Sequence, residues 1–333
     1  MIVTSPDLSK KTELRWLSGL VRLVGAAAGE LPFFITGAMA RDLILQYGYG
    51  VNAARKTQDV DFAFMVPDWP AFEALRPRLL ATGKFTAAQE NAHRLQFDAG
   101  IAIDPLPFGA IERPDRTIAW PPTGTVVMSA FGFREALAAT IFLSLPEGVT
   151  APVASLAAFA LLKIAAWRER RYAQPGKDAY DLWLVLRHYL DAGNQDRLYA
   201  EAPHLLEQSD FDYEAAGARL LGHDMGKLLA DAAKAKIAEL LTRECDRMVL
   251  CRWWATCALN REKRWCCCVP WHAGLWEIDM NVAAIVQPRR NRDGRTVGNV
   301  CACISENTHS WLRYHRMSPT MLRRRLPDLE SVL

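Results

Sequence analysis

Of the eight cysteines in this 333-residue chain, none falls before Cys245, and no Cys-x-x-Cys pair occurs anywhere. The first 244 residues therefore offer neither a disulfide framework nor a cysteine zinc site, and Cys301 and Cys303 stand too close together for the usual ligand spacing. Long apolar runs are also missing. None reaches the roughly 20 residues that a membrane-spanning helix needs. The opening "MIVTSPDLSKKTELRW" has no signal-peptide apolar stretch, which predicts a cytoplasmic protein with no membrane partner. Nor is there an internal repeat. The formal charge of +3 is unevenly spread: residues 245–333 hold 14 of the 40 Lys+Arg but only 8 of the 37 Asp+Glu, so the body is slightly acidic and carries no broad basic footprint.

What is present divides the chain into three. Residues 244–333 form a Cys/Trp/Arg-rich tail, with "CRWWATCALNREKRWCCCVPW" and six of the eleven tryptophans but no sustained periodicity. A zinc module or a basic nucleic-acid tail would each explain part of it. The favoured reading is an out-of-frame or degenerate extension, since shifted codons in a GC-rich gene yield Arg, Cys and Trp. No function is drawn from it.

Residues 1–154 read as α+β. Lys11 to Gly29 has the apolar spacing of an amphipathic helix ended by glycine, "FFIT" reads as a short buried strand broken by Gly37, and "AMARDLILQY" is helical in composition. The strand "DVDFAFMV" follows, then a helix with Asp68 as N-cap and Pro70 near its start. "HRLQF" and "IAIDPLPF" make a hairpin through "DAG", and "GFREALAATIFLSL" and "GVTAPVAS" supply further strand material. Residues 155–243 switch to helices: Ser155 caps "LAAFALLKIAAWRERR", Pro175-Gly176 turns, and "KDAYDLWLVLRHYLDAG" runs to Gly193.

Chemistry concentrates in the first segment. On a strand, Asp59 and Asp61 point to one face while Val60, Phe62 and Phe64 point to the other. Two like charges side by side resist ionising together unless a cation sits between them. Gly37-Ala38 lies between a strand and a helix, where a missing Cβ lets a phosphate approach backbone N–H groups. Asp104 stands on a later strand that could pair beside the first two. Three carboxylates around one point suit Mg²⁺ or Mn²⁺, which would neutralise a triphosphate. Each feature alone has a plainer explanation: a turn glycine, a solvated acidic face or a structural calcium site, a turn-initiating aspartate before Pro105. Their order along the chain favours the joint reading. Lys163 interrupts the apolar "FALLKIAA"; it either snorkels to water or aims at the triphosphate. Asp178 and Asp181 cap and decorate their helix or orient Lys163. Arg168, Arg170 and Arg171 could touch a polyanion, and His93 and Arg94 are left undecided.

"FFITGAMARDLIL…RKTQDVDFAF…AIDPLPFGAIE" resembles the DNA polymerase β-type nucleotidyltransferase superfamily, and "LLKIAAWRERRYAQPGKDAYDL" resembles its AbiEii/AbiGii toxin-like branch. The resemblance covers about Leu31 to Tyr189. It implies a nucleotidyltransferase-type mixed sheet with flanking helices, followed by a helical domain. It implies also that Asp59 and Asp61 bind metal, that Asp104 is a third ligand or the base for the attacking hydroxyl, and that Gly37 and Ala38 hold phosphates with Arg41 as a further phosphate contact. Lys163 would join the catalytic set. Ala38 replaces the commoner Gly or Ser, which removes a hydroxyl contact. The implied reaction moves a nucleoside monophosphate from an NTP onto tRNA or protein, in a toxin–antitoxin or phage-defence pair with a cognate antitoxin. The alternatives are transfer to a small molecule such as an antibiotic, and a nucleotide- or partner-binding relative without turnover.

Overall fold

The computed structural model describes residues 5–52, 59–88, 93–98, 100–170, 177–207 and 211–246. Nearly all of the cysteine-rich tail, the Pro175-Gly176 turn, Arg55–Gln58 and Arg171 lie outside them.

After a single 3₁₀ turn at Thr12–Leu14, helix α1 (Arg15–Ala28) buries Leu17, Leu20, Val21 and Val24, the three- and four-residue spacing of one helical face. It ends at Gly29, whose φ of +62° lets its N–H return to the Gly25 carbonyl at 3.1 Å. Strand β1 (Phe33–Thr36) leads into α2 (Gly37–Asp42), which continues as a wider π turn over Leu43–Gly48. Strand β2 (Asp59–Val66) follows, then α3 (Trp69–Glu73), capped by Asp68 Oδ1 accepting from the Ala71 N–H at 2.8 Å, and α4 (Leu75–Ala81). Strands β3 (Phe85–Ala87), β4 (Leu95–Phe97) and β5 (Ile101–Gly109) complete one half of the sheet.

Two segments differ from expectation. Residues 117–129, given no structure from sequence, form a small hairpin of β6 (Thr117–Ala119) and β7 (Val127–Ser129), each too short to carry a period. "GFREALAATIFLSL" is not strand throughout. Gly132, at φ +92°, starts α5 (Phe133–Ala138), because "FREALA" is rich in helix formers; only β8 (Thr140–Leu145) is extended. Strand β9 (Val149–Ala154) pairs antiparallel with β8.

Seven strands form one mixed sheet in the order β3-β4-β5-β2-β1-β9-β8. The β2–β5 and β1–β9 pairs are parallel; the rest are antiparallel. Phe34, Phe62, Phe64 and Phe108 are fully buried between the strands and their covering helices, with Phe34 and Phe108 ring centres 6.0 Å apart. The sheet and its helices make the α+β architecture that the sequence predicts.

After β9 the chain is helical: α6 (Leu156–Arg170), α7 (Lys177–His188), α8 (Gln195–Glu201), α9 (Tyr213–Leu228) and α10 (Asp231–Asp246). Ser155 Oγ caps α6 by accepting from the Ala158 N–H at 3.3 Å. Helix α6 packs against α2, α5, α7 and α9, which brings its polar residues beside the sheet strands that carry the acidic pair. Among the described residues no helix is long and apolar enough to cross a membrane.

Candidate active site

Strand register assembles the acidic face. Thr36 pairs with Asp61 across β1–β2, and Asp61 pairs with Asp104 across β2–β5. Residues paired on adjacent strands share a face, and Asp59 shares it too, two residues earlier on β2. The opposite face of β2 carries Val60, Phe62 and Phe64, all buried in the core. Hydrophobic demand on one face therefore fixes three carboxylates on the other, since a one-residue slip would invert both.

Gly37 is required where it stands. Its φ is +65°, and a Cβ added there would lie 1.8 Å from Asp61 Oδ2. The absent side chain is thus the space that the Asp61 carboxylate fills.

Burial first, then the charges of Asp59 and Asp104, push the Asp61 carboxyl up to about 6, with Lys163 and Lys177 pulling against them. Asp104 has a cation of its own. Arg94 Nε and Nη2 donate to its two oxygens at 2.7 and 2.5 Å, a bidentate pair. That hydrogen bonding raises the Arg94 pKa above its already high ordinary value, so Arg94 is a permanent charge. Among the described residues no three His, Cys, Asp or Glu side chains converge as an ion-ready cluster, in keeping with the hold of Arg94 on Asp104.

Lys163 does not snorkel. It is 6% exposed, pairs with Asp178 Oδ1 at 3.0 Å and Asp181 Oδ2 at 2.5 Å, and lies 5.4 Å from the centre of the Phe159 ring one turn earlier on α6. Arg170 grips Asp178 from the other side with Nε at 2.6 Å and Nη2 at 2.7 Å. Burial alone would raise the Asp178 carboxyl, but Arg170 and Lys163 outweigh it and leave the pKa lowered. Arg41 closes the chain of charges, pairing with Asp181 and with Asp42. Three cations and three carboxylates thus balance in one network, buried except for the Arg170 side chain, with Lys163 at its centre.

A cleft of about 690 Å³ gathers these groups. Gly37, Ala38, Asp59, Asp61, Asp104 and Lys163 all line it, together with Arg94, Arg170 and Lys177. Arg41 does not. Only 1% exposed, its guanidinium is committed to Asp42 and Asp181, so the expectation of a phosphate contact is corrected to an internal brace. The cleft also has an aromatic flank that sequence reading missed. Trp120, Val126 and Met128 of the β6–β7 hairpin line it, and the Trp120 and His93 rings lie 4.2 Å apart. The signal for this flank was "IAWPPTG", a tryptophan held at a proline turn.

Such a cleft can bind a polyanion beside a flat apolar group and hold a hydroxyl against a carboxylate. Comparison with known proteins gives the chemistry a family. No curated protein matches the chain. One similar solved structure is the antibiotic-resistance factor ANT(2'')-Ia in solution, 17% identical, covering 58% of this chain and 98% of that one at a TM-score of 0.30. The family model "Nucleotidyl transferase AbiEii toxin, Type IV TA system" matches residues 20–244. That span holds the whole acidic face, the Lys163 network and the helices behind them: the chain belongs to the AbiEii nucleotidyltransferase toxin family of type IV toxin–antitoxin systems, and it is a nucleotidyltransferase.

Proposed function

We propose that this cleft moves a nucleoside monophosphate from an NTP to an acceptor hydroxyl, with Mg²⁺ or Mn²⁺ held by Asp59 and Asp61. The registers that set Thr36, Asp61 and Asp104 side by side, with Gly37 against the Asp61 carboxylate, support this reading above all. The donor set also fits a divalent cation: hard carboxylate oxygens, one of them raised to about 6 by burial and then by its like-charged neighbours. When bound, the cation supplies charge neutralisation for the polyphosphate and the leaving group.

The protein's own groups do the rest. Gly37 and Ala38 present the start of α2 to the phosphates, and Lys163, Arg170 and Lys177 supply the cations that line the same cleft as the carboxylates. The acceptor oxygen forms a bond to the α-phosphorus as the bond to the bridging α–β oxygen breaks, and pyrophosphate leaves. The acceptor proton passes to Asp104 once Arg94 has released it. Residues 1–154 are then the catalytic domain, and residues 155–243 a helical domain whose contribution is Lys163 and its braces. The acceptor is tRNA or protein, and the family implies a cognate antitoxin as partner.

The test is incubation of the full chain with each of four α-³²P-labelled NTPs, Mg²⁺ and total cellular RNA, beside Asp59→Ala. Label entering RNA or protein, and lost in the variant, is expected. No transfer from any NTP, with no stabilisation by NTP and Mg²⁺, would replace this reading with a binding protein that does not turn over.

A further inference from the structure

A second cavity, of about 300 Å³, lies against the aromatic flank of the cleft and shares His93, Pro105 and Pro121 with it. Pro105 directly follows Asp104, so the shared boundary is the acceptor end of the site proposed above rather than its cationic end. Trp69 and Phe72 from α3 form one wall; both rings lie 5.8 Å from Trp120, whose ring is in tilted contact with His93 at 4.2 Å. The remaining lining is almost wholly apolar, with Leu75, Pro77 and Leu80 from α4 and an exposed Glu73 at the rim.

One atom breaks that apolar surface. Arg76, on α4 and half-buried, lines the cavity, and its Nε is buried with no hydrogen-bond partner. A buried N–H without an acceptor opposes folding, and buried donors left this way are rare in native proteins. Filling the position with a plain apolar side chain would relieve the fold. The unmet donor therefore points to an acceptor that arrives from outside.

We infer that this cavity is a nucleobase pocket: it takes a flat heterocycle between its aromatic walls and offers the Arg76 Nε–H to a ring nitrogen or carbonyl. The occupant must be planar, to lie against Trp69, Phe72 and His93, and must carry a hydrogen-bond acceptor in its plane. Nucleobases meet both demands, and base-on-aromatic stacking tolerates any base sequence. A permanent guanidinium beside the base also favours the phosphate that accompanies it. The cavity's volume is at the lower end of the roughly 300–1,000 Å³ of small-ligand pockets, enough for a base but not for a second domain of a partner. The inference rests on the nucleotidyl-transfer reading for its meaning, because the base could belong to the NTP or to the last nucleotide of an RNA acceptor.

Two variants of the full chain test it. Arg76→Met keeps the stem and removes the donor; Leu80→Trp fills the cavity and leaves Arg76 in place. The first readout is binding of phosphate-free adenosine and cytidine, followed by saturation-transfer NMR, which needs no turnover. The wild type is expected to bind both, and each variant to bind them at least tenfold more weakly, while Arg76→Met melts no lower than the wild type. If nucleosides fail to bind the wild type, or bind all three proteins alike, the pocket assignment is overturned. The second readout identifies the source of the base. In the transfer assay Arg76→Met raises the KM of the NTP if the pocket holds the incoming base, or that of a short single-stranded RNA with a free 3′ hydroxyl if it holds the acceptor, with kcat unchanged. A fall in kcat with both KM values fixed would refute the pocket. Absence of transfer in the wild type would count against the transfer reading alone, since nucleoside binding is measured apart from it.

Discussion

Replacing Asp61 by asparagine should make the metal-free protein more stable, and by an amount that depends on pH in a defined direction. The folded Asp61 carboxyl titrates at about 6 against an ordinary 3.8, so the fold prefers its protonated form. A carboxyl raised in this way adds stability below its unfolded pKa, near 4, and that stability drains away as pH rises through 6. The gap corresponds to roughly 3 kcal/mol. Asp61 lines an open cleft and shares its charge burden with Asp59 and Asp104, so water in the cleft reduces the usable figure to about 2 kcal/mol. For a body of this size that is a melting-temperature difference of about 4–8 °C. Thermal denaturation in EDTA at pH 8 should show Asp61→Asn melting higher than the wild type, and at pH 4.5 the gap should narrow to about half or less. Millimolar Mg²⁺ should raise the wild type at pH 8 and leave the variant where it was, while transfer is lost in the variant throughout. A variant no more stable at pH 8, or equally favoured at pH 4.5, would refute the claim that unneutralised charge on this face strains the fold.

Gly37→Ala should be destabilised by about 1–2 kcal/mol for its left-handed backbone alone, and should lose transfer because the new Cβ displaces the Asp61 carboxylate; denaturant melts and the labelling assay check both. Arg94→Gln should bind Mn²⁺ several-fold more tightly in calorimetry, since the bidentate competitor for Asp104 is gone; Arg94→Lys, which keeps the charge but not the fork, separates that competition from simple charge removal. Lys163→Met should cost about 3–5 kcal/mol, because it leaves Asp178 and Asp181 short of a buried cation, and should weaken NTP binding in the folded fraction. A Lys163→Met protein with unchanged melting temperature would contradict the network.

Much of this site was legible because its signals are local. Strand β2 announces itself by alternation, and the same alternation says that Asp59 and Asp61 face together. Asp104 was legible only by order, as an aspartate on a later strand, and its pairing with Asp61 needed the parallel β2–β5 register that sequence does not print. Arg41 was misplaced for a related reason. Helical spacing put it one turn after Gly37, but the face it takes is decided by Asp181, 140 residues away. Lys163 was visible as a charge in an apolar run, whereas its two aspartate partners looked equally like caps or surface groups until α6 and α7 packed. The β6–β7 hairpin left no periodicity to find. Short strands closed by Pro121-Pro122 and Gly124 read as a loop, and the aromatic flank went with them.

The buried charge network also sets a clock on synthesis. Asp61 and Asp104 can meet once β5 has formed, yet Lys163 gains its brace only when Asp178 and Asp181 have emerged and α7 has docked. Until then Lys163 is a cation without its two counter-ions in an apolar setting, an arrangement a chain avoids by staying open. A chain cut short before α7 should therefore leave the Lys163 side of the cleft without its carboxylate braces. For a protein of a toxin family, the need for α7 to dock would keep the site incomplete until the helical segment has begun to form.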